Sequence, residues 1–182
     1  MDESTLQRTR AAWMHRGNQR PAFAEKPGPG QESVWDYPRP PVIIPDTRQV
    51  RVRVDDVIIA ETRGALRVLE TASPPAFYLP PADVHMEYLQ RESGHSFCEW
   101  KGQASYYRVC INQHCIPNAA WDYSDPFPAF AAIKDHICFY PSRVTCYVDN
   151  ERVRAQQGGF YGGWVTAEIV GPFKGEPGTS SW

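Results

Sequence analysis

Prolines are so dense in one part of this sequence that neither a helix nor a central β-strand can form there. They recur through residues 20–41, RPAFAEKPGPGQESVWDYPRPP, and each proline fixes φ and removes a backbone hydrogen-bond donor. The same segment contains Trp35 and Tyr37, which make it too apolar for a free linker. We therefore expect residues 1–41 to form an extended N-terminal arm that packs on the rest of the chain.

The composition of the whole chain also bounds its fold and its partners. Seventeen prolines and a 13% share of aromatic residues among 182 residues favour a loop-rich, mainly β domain with few long helices. This length corresponds to about one ordinary domain. The formal net charge of −2 argues against a nucleic-acid binder, since such proteins usually carry a basic excess.

Membrane and export signals are not recognisable in the sequence. No apolar run approaches the roughly 18 residues of a membrane-spanning helix, so no membrane partner is expected. The N-terminal MDESTLQRTR has no apolar core after its charged residues, which argues against a secretory signal. The sequence therefore predicts a cytoplasmic protein and leaves its oligomeric state open.

Three β-hairpins are indicated by apolar alternation around turn residues. Apolar side chains alternate over residues 50–54 before the acidic turn at 55–56, and VTCYVDNERVRAQ follows the same plan around residues 149–150. This similarity arises either from duplication or from the shared chemistry of turns. The third hairpin, within residues 104–121, turns near 112–113. Further strands are predicted at residues 65–69, 76–79, 97–100 and 137–140.

Two short helices fit between these strands, at residues 81–90 and 128–137, where a proline stands at each N-terminal end. The pattern as a whole predicts a mainly β fold of compact antiparallel sheets over residues 42–157. Residues 158–182 mix paired glycines with aromatic side chains, which flexible linkers lack. We expect them to form a Gly-rich, mostly irregular C-terminal tail packed on the domain.

The five cysteines do not form a recognisable metal motif, because no Cys-x-x-Cys pair occurs. His85 and Glu87 match the His-x-Glu of zinc deaminases, but the Cys-x-x-Cys that this chemistry needs downstream is missing. Cys110 and Cys115 are predicted to lie opposite each other across the third hairpin, within reach of oxidation. In a cytosolic protein both thiols are expected to stay reduced. Neither a metal nor a cofactor is expected.

Cys98 and Lys101 are the candidate catalytic residues. A lysine near a thiol favours the thiolate and makes the cysteine a plausible nucleophile. The reaction would also need a base, for which His95 and His85 are the candidates nearest in sequence. The alternative is structural: Cys98 is then a buried small residue and Lys101 a charge at a strand end.

Several segments together resemble the "domain of unknown function 427" family. They are ALRVLETASPPAFYLPPADV, C-x-W-K-G-x-A-x-Y-Y at 98–107, N-x-A-W-x-Y at 118–123 and C-F-Y-P at 138–141. The long form of the family is also similar at both ends, in ESVWDYPRPP and GGFYGGWVTAEIVGPFKGEPGT. The resemblance implies a compact, mostly β fold of the β-tent kind and supplies no established activity. A nucleotidyltransferase label is attached to the family. That chemistry requires a Gly-Ser turn followed by spaced acidic residues that hold magnesium, and the sequence does not support it.

The family's polar and aromatic signature positions fall on strands or at strand ends of the predicted fold. Matched to this sequence, they are Glu70, Tyr78, Asp83, Lys101, Tyr107, Asn118, Trp121 and Tyr123. Aromatic walls with a few polar groups are the usual make-up of a small-molecule pocket. The alternative is that Tyr78 and Trp121 belong to the core and that Asp83 caps a helix.

These positions predict a small-molecule binding protein. The predicted ligand-binding residues are Glu70, Tyr78, Lys101, Tyr107, Asn118 and Trp121. A protein–protein interaction domain that uses the aromatic arm and tail is the alternative, and a nucleotidyltransferase-type enzyme is a second alternative that rests on the family label. A binding pocket predicts polar groups that converge on a cavity, whereas an interface predicts exposed aromatic residues on a flat patch.

Overall fold

Strands dominate the computed structural model, which describes residues 2–179 and 181–182. The one α-helix of this part is Glu3–Ala11, and none of the described helices is long and apolar enough to cross a membrane. Short 3₁₀ helices cover Val34–Asp36, Pro81–Asp83, Met86–Tyr88 and Pro128–Ile133. The strands are β1 (Glu32–Ser33), β2 (Val42–Asp46), β3 (Val50–Val54), β4 (Val57–Thr62), β5 (Ala65–Glu70), β6 (Ser73–Leu79), β7 (Leu89–Cys98), β8 (Gly102–Ile111), β9 (His114–Asp122), β10 (Ile137–Phe139), β11 (Thr145–Val148), β12 (Glu151–Arg152), β13 (Arg154–Ala155), β14 (Trp164–Val165) and β15 (Ile169–Val170).

Two antiparallel sheets form the body of the fold. The larger has seven strands in the order β2-β5-β6-β10-β9-β8-β7, and the smaller has four in the order β12-β11-β3-β4. Two further pairs are short: β1 lies parallel to β15, and β13 lies antiparallel to β14. The predicted mainly β fold of antiparallel sheets is confirmed.

All three predicted hairpins form. Asp55 lies in the turn between β3 and β4, Asn112 between β8 and β9, and Asp149 between β11 and β12. These residues have φ values of 50°, 54° and 52°, in the left-handed region that Asn and Asp tolerate better than most residues. The turn chemistry therefore stops each strand where the sequence predicts.

The seven-stranded sheet buries a different cluster on each face. Side chains alternate along a strand, so Phe77 and Leu79 of β6 point to one face and Tyr78 to the other. The first face packs on the four-stranded sheet through residues such as Val52 and forms the main core. The second face, with Tyr78 and Trp121, is the floor of the site described below.

Arm and tail segments pack together against the edge of the larger sheet in a third cluster. Trp35 is 1% exposed, and its Nε1 donates to the carbonyl oxygen of Pro172 at 3.1 Å. Tyr37 donates its hydroxyl to Glu32 at 2.6 Å, and Glu32 also pairs with Arg67 at 2.8 Å. These contacts tie the proline-rich segment to β5 and to the C-terminal residues.

The region after residue 80 differs from the sequence-based expectation. The two predicted helices form only as 3₁₀ segments, and residues 89–98 are a ten-residue strand, β7, that lies at the edge of the seven-stranded sheet. Its sequence, LQRESGHSFC, is polar and its burial does not alternate, and its pairing with β8 shifts register between Arg91 and His95. The period-2 signal that marks a half-buried strand is therefore missing.

Cys110 and Cys115 lie opposite each other across β8 and β9, as the turn at 112–113 predicts. Their Sγ atoms are joined in a disulfide, so the expectation that both thiols stay reduced is wrong for this structure. The direct opposition places the two Cα atoms 4.1 Å apart, close to the spacing of about 4.5 Å for a non-hydrogen-bonded strand pair. Of the remaining cysteines, Cys138 and Cys146 are buried and Cys98 is half-buried.

Candidate functional site

A cavity of about 240 Å³ lies on the second face of the seven-stranded sheet. Its floor consists of side chains from the sheet strands, including Tyr78 of β6, Ala104 of β8 and Trp121 of β9. Its cover comes from outside the sheet: Trp13 follows the N-terminal helix, and residues 160–163 and Lys174 belong to the C-terminal tail. The arm and the tail therefore convert an open sheet face into a partly covered cleft.

Aromatic rings form most of the cavity wall. The rings of Trp121 and Tyr140 lie 4.4 Å apart between centroids, and Trp121 Nε1 donates to the hydroxyl of Tyr78 at 3.3 Å. Tyr140 in turn donates its hydroxyl to the carbonyl oxygen of Phe160, which ties the irregular tail segment to the sheet. Burial raises the pKa of Tyr78, so this phenol stays neutral at physiological pH.

Glu70 at the end of β5 is the anionic centre of the site. Lys101 Nζ lies 3.9 Å from Glu70 Oε2, and Arg39 Nε lies 3.3 Å from Glu70 Oε1. The Lys101 side chain is 12% exposed, and the Arg39 side chain is fully buried. Burial alone would lower the pKa of Lys101, yet that pKa is raised because Cys98, Tyr78 and Glu70 surround the ammonium group.

The turn before β8 presents Lys101 to the cavity. Gly102 has a φ of 105°, which L-residues with side chains rarely adopt, and the carbonyl oxygen of Lys101 accepts a hydrogen bond from Phe127 N–H at 3.0 Å. The backbone on both sides of the lysine is therefore fixed, and its ammonium group faces Glu70.

Trp13 lines the cavity and lies beside two cations. Lys174 Nζ lies 3.5 Å from the centre of the Trp13 rings, and Arg39 Cζ lies 4.3 Å from it. The indole Nε1 donates to Glu99 at 2.6 Å. Cation–π contacts of this kind are worth about 0.5–2 kcal/mol each. Burial is the main reason why the pKa of Lys174 is lowered to about 8.

Cys98 lines the cavity beside Lys101, but its surroundings lack the imidazole that a catalytic thiol would need. His95 contacts Ser105, and His85 contacts Glu87 on an exposed surface. None of the described histidines is part of the cavity wall. The geometry therefore places a thiol and an ammonium group side by side without a histidine base.

The structure brings together most of the residues predicted from the sequence. Five side chains among the candidates line this one cavity: Glu70, Tyr78, Cys98, Lys101 and Trp121. Tyr123, from the same family signature, lines it too.

Tyr107 and Asn118 are the predicted ligand-binding residues that lie elsewhere. Tyr107 points to the opposite face of β8, where its hydroxyl donates to Asp122 at 2.9 Å. Asn118 faces a smaller neighbouring cavity beyond Tyr140. Asp83 lies away from both cavities and accepts a hydrogen bond from Thr62 at 2.5 Å.

Sequence reasoning missed the residues that cover the cavity. Trp13, Gly162 and Lys174 come from the arm and the tail, which are distant in sequence from the strands beneath them. The sequence predicts that these segments pack on the domain, but no local pattern shows which of their side chains reach the site.

Comparison with known protein families gives one match. The family model described as "Domain of unknown function (DUF427)" matches residues 42–150. The chain belongs to the DUF427 family. The matched range contains the seven-stranded sheet, strands β3, β4 and β11 of the smaller sheet and the charged pair Lys101–Glu70. Trp13, residues 160–163 and Lys174 lie outside it. A search among curated proteins gave no significant match.

Gly162 allows the tail to lie directly against the cavity floor. A Cβ at this position would overlap the six-membered ring of Trp121, which is wedged against Tyr140. We expect Gly162→Ala to displace the tail, to widen the cavity and to lower the free energy of unfolding by about 1–3 kcal/mol. Urea unfolding and limited proteolysis of the tail measure both effects.

The matched control for this prediction is Gly94→Ala. A Cβ at Gly94 would meet only the Tyr106 ring, at an ordinary 3.9 Å. If Gly162→Ala and Gly94→Ala unfold at the same urea concentration and are cleaved at the same rate, the tail does not pack on Trp121 as described.

Proposed function

We propose that this protein binds a small molecule in the cavity between the sheet, the arm and the tail. The observation that carries the proposal is the convergence of a buried Lys101–Glu70 pair with the aromatic wall around Trp121 in one concave site. Ligand pockets combine apolar and aromatic walls with a few polar groups that fix orientation. At about 240 Å³ the cavity lies just below the usual range of about 300–1,000 Å³, which favours a small ligand.

The interaction-domain alternative has less support. The arm residues that the sequence singles out, Trp35 and Tyr37, are buried against the protein itself and present no surface to a partner. Phe160 and Met14 are exposed, at 61% and 67%, but they belong to separate segments. The nucleotidyltransferase alternative continues to rest on the family label, since no group of three or more His, Cys, Asp or Glu residues gathers among the described residues.

A thermal-shift screen against metabolites and nucleotides tests the proposal. A compound that binds the native state at 100 times its Kd stabilises the protein by about 2.7 kcal/mol, which raises Tm by several degrees. We expect at least one compound to produce such a shift and Lys101→Met to abolish it. The variant keeps its fold because Arg39 remains beside Glu70.

Lys134→Met is the control, because this lysine is exposed and lies outside the cavity. It is expected to respond to the compound as the native protein does. A screen without any stabilising compound, or a compound that stabilises Lys101→Met as much as the native protein, would contradict binding in this cavity.

A further inference from the structure

Lys174 is a buried cation that forms no ion pair with a carboxylate among the described residues. The residue is 4% exposed, and the ion pairs of this region, Arg39–Glu70 and Lys101–Glu70, do not include it. Its ammonium group contacts the faces of Trp13 and Tyr161 and lines the cavity. Buried charges are normally paired, because the loss of hydration is costly otherwise.

The backbone at Lys174 is held in place by buried hydrogen bonds. Its N–H donates to the carbonyl oxygen of Ala72 at 2.8 Å, and its carbonyl oxygen accepts from Gln156 Nε2 at 2.6 Å. Gln156 is itself buried, and its Oε1 accepts from Gly163 N–H at 3.0 Å. The tail backbone at Lys174 is thereby fixed beside the β5–β6 turn, and displacing it would break buried hydrogen bonds.

The charges around the cavity leave a positive excess. Three cations, Arg39, Lys101 and Lys174, face two carboxylates, Glu70 and Glu99. Glu70 already forms ion pairs with Arg39 and Lys101, and Glu99 accepts a hydrogen bond from the indole N–H of Trp13. Lys101 and Lys174 both line the cavity, one from the sheet and one from its cover.

We infer that the ligand of this site is a small aromatic anion, whose carboxylate or phosphate group lies between Lys101 and Lys174 and whose ring packs on Trp121. This inference rests on the proposed function and adds the ligand class. The anion supplies the missing counter-charge for Lys174, and the aromatic wall accepts the ring. A bound anion also favours the ammonium form of Lys174, which burial disfavours.

Phenylacetate and its neutral amide, phenylacetamide, are the probes that test the inference by titration calorimetry. The two compounds share a ring and a shape and differ in charge. We expect the native protein to bind phenylacetate about tenfold or more tightly than phenylacetamide, because a charge-assisted hydrogen bond is worth about 1.5–3 kcal/mol. Phenyl phosphate, tested in parallel, shows which anionic group the site prefers.

Lys174→Met separates a ligand-binding role from a structural one. If Lys174 binds the anion, the preference for phenylacetate over phenylacetamide falls towards unity in this variant. If Lys174 only holds Trp13 in place, both compounds weaken equally and the preference is unchanged, which overturns the inference. Lys26→Met, a change at an exposed lysine of the arm, is expected to leave both affinities unchanged.

The outcomes also distinguish this inference from the proposed function. Equal or tighter binding of phenylacetamide by the native protein overturns the anion assignment and leaves small-molecule binding intact. Failure of all three probes, while another compound from the thermal-shift screen binds in the cavity, likewise overturns only the ligand class. Failure of the whole screen contradicts the proposed function itself.

Discussion

Trp35→Ala is expected to lower the free energy of unfolding by about 3–5 kcal/mol, the usual cost of removing a large buried aromatic side chain. Trp35 is 1% exposed and packs edge-on against His15, Phe23 and Trp182. Its indole also donates to Pro172, so the change leaves a partly buried carbonyl oxygen without this partner. Urea denaturation followed by circular dichroism measures the loss.

Met14→Ala is the control within the same arm. Met14 is 67% exposed, and a surface change of this kind usually alters stability by less than about 0.5 kcal/mol. Removal of residues 1–41 should destabilise the protein at least as much as Trp35→Ala. A Trp35→Ala protein that unfolds at the same urea concentration as Met14→Ala would show that the arm contributes nothing to the core.

The second large effect is expected at Glu70. Glu70→Gln removes the carboxylate that lies beside both Arg39 and Lys101 and leaves two buried cations without their counter-charge. Removing one partner of a buried ion pair costs about 3–5 kcal/mol, and we expect a value near the lower end because the Glu70 side chain is 19% exposed. Urea unfolding measures this cost, and Glu25→Gln, at an exposed glutamate, is the control.

The double variant Glu70→Gln/Lys101→Met tests whether the two charges interact. With Lys101 absent, the loss of Glu70 leaves fewer unpaired cations, so the double variant should be less destabilised than the sum of the single changes. Strictly additive losses would mean that the 3.9 Å approach of Lys101 and Glu70 carries no coupling energy.

Much of the fold could be predicted because its signals are local. Alternating valines before Asp55 and Asp149 mark the hairpins, and a turn at Asn112 fixes the opposition of the two bonded cysteines. The order of the strands is not local: β3 pairs with β11, which is about ninety residues later, and β6 pairs with β10 across three other strands of the chain. The edge strand β7 lacks the alternation of apolar and polar residues by which a strand is recognised in a sequence.

In the candidate site, too, the parts with local sequence signals could be predicted and the long-range contacts could not. Its floor follows from the motifs around Tyr78 and Trp121, which lie on strands with a regular period, and from Lys101 in the turn before β8. Tyr107 was predicted beside them, but its neighbour Tyr106 faces the cavity, because successive side chains on β8 point to opposite faces. The cover depends on where the arm and tail cross the sheet, and the resulting contact between Trp13 and Lys174 has no signature in the sequence.

The most direct test of the account uses the indole N–H signals of the protein in two-dimensional NMR, with the compound that gives the largest thermal shift. Trp13 and Trp121 line the cavity, whereas Trp35 and Trp164 are buried elsewhere with their Nε1 atoms bonded to Pro172 and Phe139. Saturating ligand is expected to shift the signals of Trp13 and Trp121 and to leave those of Trp35 and Trp164 in place. Unchanged signals from Trp13 and Trp121 in the saturated protein would contradict binding in this cavity.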